Sequence, residues 1–212
     1  TLVADVAVSV LGLRHTAKHL KRWMRPERRA TPLHFLPASS RVVPQPVGVV
    51  GVISPWNYPV QLAVVPLGQA LAAGNRVMLK PSELTPATSE LLAELLGQLY
   101  PADLVSTHLG GPDVGAAFSS LPFDHLFYTG STTVGRYVMK AAADNLVPVT
   151  LELGGKSPAI IAPEADVAKA AERIAKGKLF NAGQTCVAPD YVLLPTAQRE
   201  AFVGAFRSAV AK

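Results

Sequence analysis

The sequence holds a single cysteine, Cys186, among 212 residues, so it can form no internal disulfide. That scarcity suits a reducing compartment, and the expectation is a cytoplasmic protein. Long apolar runs are missing too. The two longest, 47–53 and 60–74, are parted by the turn-forming PWNYP, and neither reaches the roughly 18 residues a membrane span needs. The opening TLVADVAVSVLGLRHTAKHL has no basic lead before its apolar residues, which argues against a secretory signal and for an amphipathic helix. It also lacks an initiating methionine, so the chain is expected to be an internal piece of a longer protein. No RNP-like, zinc-finger or basic-zipper pattern, no internal repeat and no Ser/His/Asp constellation is present. His15 and His19 stand four apart without an acid or a third ligand, and His34, His108 and His125 are scattered, so no metal is expected.

The net charge of +5 is equally uneven. Residues 1–41 carry eight Lys and Arg against Asp5 and Glu27, whereas the rest of the chain carries twelve bases against thirteen acids. The basic excess therefore reads as one solvated helix face followed by a loop, not as a phosphate-binding surface, and no nucleic-acid partner is expected. With 49% hydrophobic and 17% charged residues, the chain has the balance of a core-forming protein.

What is present is a regular alternation. A helix over 2–24 ends before Pro26, and a Pro- and Ser-rich stretch with short alternating pieces (LHFL, RVV) suggests an extended hairpin over 31–46. Strands are then expected at 47–54, 76–80, 104–110, 125–130 and 147–153, with helices at 59–73, 86–100, 111–120 and 131–143 between them. Continuous apolar strands joined by helices imply an α/β fold with a doubly wound parallel sheet covered on both faces. Beyond Gly155 a second run begins: a strand in SPAIIA, a helix over 166–179, the Cys186 loop, a strand in YVLLP and a final helix from 196. Two strands and two helices make a poor independent fold, so 156–212 is expected to be the start of a second α/β domain. The expected organisation is 1–46 helix and hairpin, 47–155 nucleotide-binding domain, and 156–212 truncated catalytic-domain start.

Ligands of such sheets bind beyond the carboxyl ends of the strands, which singles out PWNYP, KPSE, GGPD, TGST and ELGGK. Gly130-Ser-Thr-Thr-Val-Gly135 follows a strand and opens a helix, where backbone N–H groups can meet phosphate; a tight turn with close helix packing explains it equally well. Lys80 and Glu83 could hydrogen-bond ribose hydroxyls or form an ordinary strand-end ion pair. A carboxylate at 83 would oppose a 2′-phosphate by up to about 4 kcal/mol at 4 Å in a partly screened setting. Cys186 lies in FNAGQTCVAPD among residues suited to a loop, either as a small buried hydrophobe or as a nucleophile. At an ordinary pKa only about 3% of a thiol is ionised at pH 7, so a nucleophile needs help. Glu152 ends an apolar strand where burying an acid is costly without a purpose, and Asn57 can aim an amide into the same crevice.

Taken in register, PWNYP, KPSE, YTGST with Gly135, LELGGKSP and FNAGQTC resemble the NAD(P)-dependent aldehyde dehydrogenase superfamily. The texture of RVVPQPVGVVGVISPWNYPVQL and GQTCVAPDYVL is similar to its class 3-like branch, above all to bacterial coniferyl aldehyde dehydrogenases. The resemblance implies a Rossmann-like fold and aldehyde oxidation to a carboxylic acid. It implies Cys186 as nucleophile, Asn57 as oxyanion donor and Glu152 as the base that activates water. It implies NAD or NADP as cofactor, with Lys80 and Glu83 at the adenosine ribose, Ser131 and the start of its helix at the pyrophosphate, and Ser82, Thr129, Gly130 and Val134 among the further cofactor contacts. Gly111, Pro112 and Gly115 would lie along the adenine, Leu153 and Gly154 near the nicotinamide, and Ser54, Pro55 and Trp56 in the same crevice. Partners implied are a small-molecule aldehyde and, through the 31–46 arm, a second copy in a homodimer. Family members are more than twice as long, and the E-x-F-G-P motif is missing here.

Overall fold

The structure is a computed structural model that describes residues 2–211. The chain forms two compact units, Thr1–Glu152 and Leu153–Lys212.

The first unit opens with a π-helical segment, Leu2–Ala7, that runs into α1 (Val8–Trp23). The expected hairpin is shifted: β1 (Glu27–Arg29) pairs antiparallel with β2 (Ser40–Val42), and LHFL lies in the link between them, with a single 3-10 turn over Leu33–Phe35. The turn is held by Phe35 N–H donating to the Pro32 carbonyl.

Strand and helix then alternate: β3 (Val49–Ile53), α2 (Gln61–Ala72), β4 (Arg76–Lys80), α3 (Pro86–Leu99), β5 (Val105–Thr107), α4 (Pro112–Ser119), β6 (His125–Gly130), α5 (Thr132–Ala143) and β7 (Val149–Leu153). The sheet order is β5-β4-β3-β6-β7, with β3–β4, β4–β5 and β3–β6 parallel. The chain winds outward from β3 to β5, then crosses back to place β6 on the other side of β3. The winding reverses between β3 and β6, and a crevice opens at their carboxyl ends. β5 is shorter than the sequence suggests because its partner runs out: after Lys80 comes Pro81, which has no N–H, and His108 N–H already closes on the Leu79 carbonyl.

Period-two alternation sends Val50 and Val52 of β3 to one face, where they pack with Val77, Leu79 and Val105 of β4 and β5 against Ala63, Leu67, Leu92 and Leu96 of α2 and α3. Each fully buried Val or Leu stabilises by roughly 1.5–3 kcal/mol. On the opposite face Gly51 has no side chain because a Cβ would stand 2.7 Å from the Phe123 ring and 2.8 Å from Leu126. The N-terminus of α2 is closed from far away in sequence: the buried Asp5 carboxylate accepts hydrogen bonds from Val60 N–H at 3.3 Å and Gln61 N–H at 2.5 Å.

In the second unit β8 (Ser157–Ile160) and β9 (Pro189–Leu193) form a two-stranded parallel sheet, and α6 (Val167–Leu179) packs on α7 (Arg199–Val210). Asp166 caps α6, its carboxylate accepting from Lys169 N–H at 3.0 Å. The final helix begins three residues later than expected, after a 3-10 turn over Thr196–Gln198. Burial is thin here: α7 has no buried residue, and Ile160 of β8 is 75% exposed. Among the described residues no helix is long and apolar enough to cross a membrane.

Candidate functional site

A cleft of about 700 Å³ opens at the carboxyl ends of β3, β4 and β6, and every residue lining it belongs to the first unit. Ser54, Pro55 and Trp56 lead away from β3, and Lys80, Ser82 and Glu83 from β4. Pro112 and Gly115 come from α4, while Thr129, Gly130, Ser131 and Val134 carry β6 into α5. All the expected cofactor positions except Gly111, Leu153 and Gly154 therefore converge on one cavity. Gly111 is the residue that caps α4, immediately before Pro112, and Leu153 and Gly154 start the second unit.

Lys80 and Glu83 form the ion pair that was one of their two readings, Nζ to Oε2 at 2.5 Å. The Lys80 side chain is only 5% exposed and that of Glu83 37%, so the carboxylate reaches the cleft while satisfying a buried ammonium. Burial pushes the Glu83 carboxyl up, but the hydrogen bond from Lys80, one from its own backbone and the Lys80 charge outweigh it and hold the group below its ordinary value. A Cβ on Gly115 would stand 3.8 Å from Lys80 Cε, so α4 passes close over the lysine stem.

The glycine of TGST has a packing reason. A Cβ on Gly130 would run into the Tyr128 hydroxyl. Tyr128 is buried, its O–H donates to the Ser131 carbonyl at 3.3 Å, and burial raises its phenol above the ordinary range. The same turn delivers the α5 N-terminus to the cleft, with Ser131 Oγ accepting from Val134 N–H at 3.2 Å. Ser54 Oγ and Thr129 Oγ1 are buried without a hydrogen-bond partner. They follow Ile53 and Tyr128, which face one another in register, so two unsatisfied hydroxyls end the two strands at the reversal point.

The reactive residues are differently placed. Asn57 is half-buried in the segment between β3 and α2 and is engaged in interactions of its own. Glu152 is exposed, which corrects the expectation of a buried acid. β7 is the edge of the five-stranded sheet, and no residue in it is fully buried, so its apolar sequence does not enclose the carboxylate. Cys186, in the second unit, is exposed rather than a space-filler. It follows a tight turn, Phe180–Gly183, in which Asn181 (φ 50°), Ala182 (φ 55°) and Gly183 (φ 78°) are all left-handed. For Ala182 that conformation costs roughly 1–2 kcal/mol.

Sequence reasoning missed the helix faces of the cleft. Ala116 and Ser119 of α4, and Tyr137, Val138 and Ala141 of α5, line it beside Tyr128. The i, i+3, i+4, i+7 spacing from Pro112 and from Val134 was the available signal.

Comparison with known proteins agrees with this geometry. The family described as the aldehyde dehydrogenase family matches residues 2–212. A probable coniferyl aldehyde dehydrogenase of Pseudomonas aeruginosa is 60% identical over 210 residues, covering 99% of this chain and 44% of that protein. Among solved structures, the substrate-bound state of Staphylococcus aureus AldH superposes with a TM-score of 0.94 at 40% identity, covering 99% of this chain and 46% of that one. A Mycobacterium tuberculosis aldehyde dehydrogenase complexed with NAD+ gives 0.88 at 36% identity, covering 99% and 43%. The chain thus spans less than half the length of the proteins it resembles, and it belongs to the aldehyde dehydrogenase family.

Proposed function

We propose that the cleft binds NAD or NADP and that the whole protein uses it to oxidise an aldehyde to a carboxylic acid. The observation that carries the reading is the convergence of strand-end residues from β3, β4 and β6 on one cavity at the reversal of the sheet. The residues fit a dinucleotide: Glu83 and Lys80 would hold ribose hydroxyls, the α5 N-terminus would meet the pyrophosphate, and the unsatisfied Ser54 and Thr129 hydroxyls have hydrogen bonds to give. Because Lys80 already neutralises Glu83, the carboxylate opposes a 2′-phosphate less than a lone charge would, which leaves room for either cofactor.

When bound, the dinucleotide supplies the acceptor for the hydride that the aldehyde loses. Cys186 Sγ would attack the aldehyde carbon, forming a C–S bond while the thiol proton passes to a base, for which Glu152 is the candidate. The carbonyl oxygen, now negative, would be held by the Asn57 amide and the Cys186 backbone N–H, each such donor contributing roughly 3–4 kcal/mol. At the acyl stage Glu152, having released the thiol proton to solvent, would take a proton from water, which adds to the acyl carbon and releases the acid and the thiolate. The Pseudomonas aeruginosa relative's name points to coniferaldehyde, so an aromatic aldehyde is the first substrate to try. The reading extends to a cytoplasmic enzyme that pairs with a second copy through the β1–β2 ribbon, which sedimentation of the whole protein would test.

Calorimetric titration of this chain with NAD is the first measurement, followed by NADH formation from aromatic and aliphatic aldehydes by the whole protein and its Cys186→Ala variant. The expected outcome is saturable NAD binding, and turnover that the variant abolishes. Undiminished turnover in the variant would remove Cys186 from the mechanism. A second reading, dinucleotide binding without turnover by this chain, is favoured by the cleft being lined wholly by the first unit while Cys186 lies in the second. NAD binding with no NADH produced would support it.

A further inference from the structure

We propose that Asp5 is a positioning residue for aldehyde oxidation: its buried carboxylate sets where the Asn57 amide stands, a role that rests on the reading of Asn57 as the oxyanion donor. Asp5 is only 2% exposed, and among the described residues no cation forms an ion pair with it. A carboxylate is costly to bury unless other groups compensate it. Here those groups are two backbone donors at the start of α2, Val60 N–H at 3.3 Å and Gln61 N–H at 2.5 Å. Asp5 thereby takes up hydrogen bonds that the first turn of α2 cannot make internally, at the helix end that favours a negative charge.

Both sides of this junction are stiff. On the side of Asp5, Ser9 Oγ donates to the Asp5 carbonyl at 2.7 Å, and α1 lies close on α2: a Cβ on Gly12 would stand 3.3 Å from Val65 Cγ2, and one on Gly68 would run into the Leu13 side chain. On the other side only Tyr58 and Pro59 separate Asn57 from Val60. Tyr58 is buried and its carbonyl accepts from Leu62 N–H at 3.0 Å, while the Pro59 ring fixes φ. A displacement of Val60 is therefore passed on to Asn57. The cofactor end of the same segment is fastened separately, since Ser54 N–H donates to the Lys80 carbonyl at 3.1 Å and holds the cleft wall to the sheet. Asp5 thus bears on the oxyanion donor and not on the cofactor wall. Such a donor acts only within about 2.7–3.1 Å of the developing charge, and a misplacement of about 1 Å can cost about 100-fold in rate.

The test is a double-mutant cycle in the whole protein: wild type, Asp5→Asn, Asn57→Ala and the double variant, each followed by steady-state aldehyde oxidation and calorimetric NAD titration. Asparagine keeps the size of the side chain and one acceptor but turns an amide against the second N–H. Asn57→Ala is expected to lower kcat about 100- to 1000-fold. Asp5→Asn is expected to lower kcat about 10-fold with aldehyde KM and NAD affinity unchanged, and to cost nothing further in the Asn57→Ala background. Wild-type kcat in folded Asp5→Asn, with Asn57→Ala impaired, would overturn the positioning role and leave the reading of Asn57 intact. A loss of the same factor in the double variant would also overturn it, since Asp5 would then act on stability or on another group. Wild-type kcat in Asn57→Ala refutes the oxyanion reading itself, and the positioning role with it. Should Asp5→Asn not fold, the same cycle is run with Ser9→Ala, which keeps the carboxylate and loosens the turn that carries it; a smaller loss that vanishes in the Asn57→Ala background is expected, and an additive loss or none overturns the role.

Discussion

Single side chains set the character of the cleft. Glu83 shows how a group can be partly exposed and still matter, because its partner is not: the Lys80 side chain is 5% exposed and has this carboxylate as its ion-pair partner. Removing the charge with Glu83→Gln leaves a buried ammonium with a weaker acceptor, and after discounting for solvent screening at Glu83 we expect a loss of about 1 kcal/mol at pH 7. An acid whose folded pKa lies below its ordinary value of 4.5 contributes stability that is fully present above that value and is lost as pH falls through the folded value. Denaturant melts of wild type and Glu83→Gln should therefore differ at pH 7 and converge in the acid range below about 4.5; a constant gap across pH would contradict the linkage. Glu152 is the contrasting case. Its apolar neighbours in the sequence suggested burial, but sequence alternation does not reveal that β7 is an edge strand, and the edge leaves the carboxylate open.

Elements are held by contacts that glycines and prolines make possible. Gly51 in the central strand lets the Phe123 ring lie on β3, and Gly51→Ala would force that ring and Leu126 to move from a packed face. The expected cost is about 1–3 kcal/mol, read as a lower denaturation midpoint with unchanged slope. A variant as stable as the wild type would mean that the ring shifts freely. β4 and β6 were legible to the residue because each ends at strong punctuation, Pro81 for one and the Gly130-Ser131 turn for the other. β5 was over-read, since its length depends on where its neighbour stops, and the link through LHFL was misread because an alternating apolar pattern four residues long fits a 3-10 turn as well as a strand. The strand-end motifs of the cleft were visible for the same reason the fold was, each following an apolar run. Tyr137 was hidden, because a lining helix face shows only once it is known which side of the helix looks into the cavity.

Across the whole molecule, burial is unequally shared. The first unit has a continuous core around Val52, Leu67 and Leu79, whereas in the second only a few small or medium side chains, such as Ile161, Ala171 and Ala175, are buried. Amide hydrogen exchange is expected to be slowest in β3 and β4 and markedly faster in β8, β9 and α7, since opening free energy follows buried apolar contact. Equal protection in both units would contradict this. The placement of Asp5 has its own consequence. The segment that carries Asn57 leaves the sheet at β3 and is fastened at its other end by a carboxylate 55 positions earlier in the chain. Those first residues act as a clasp on a loop they never touch in sequence: shorten or neutralise the clasp, and the slack emerges at the mouth of the cleft.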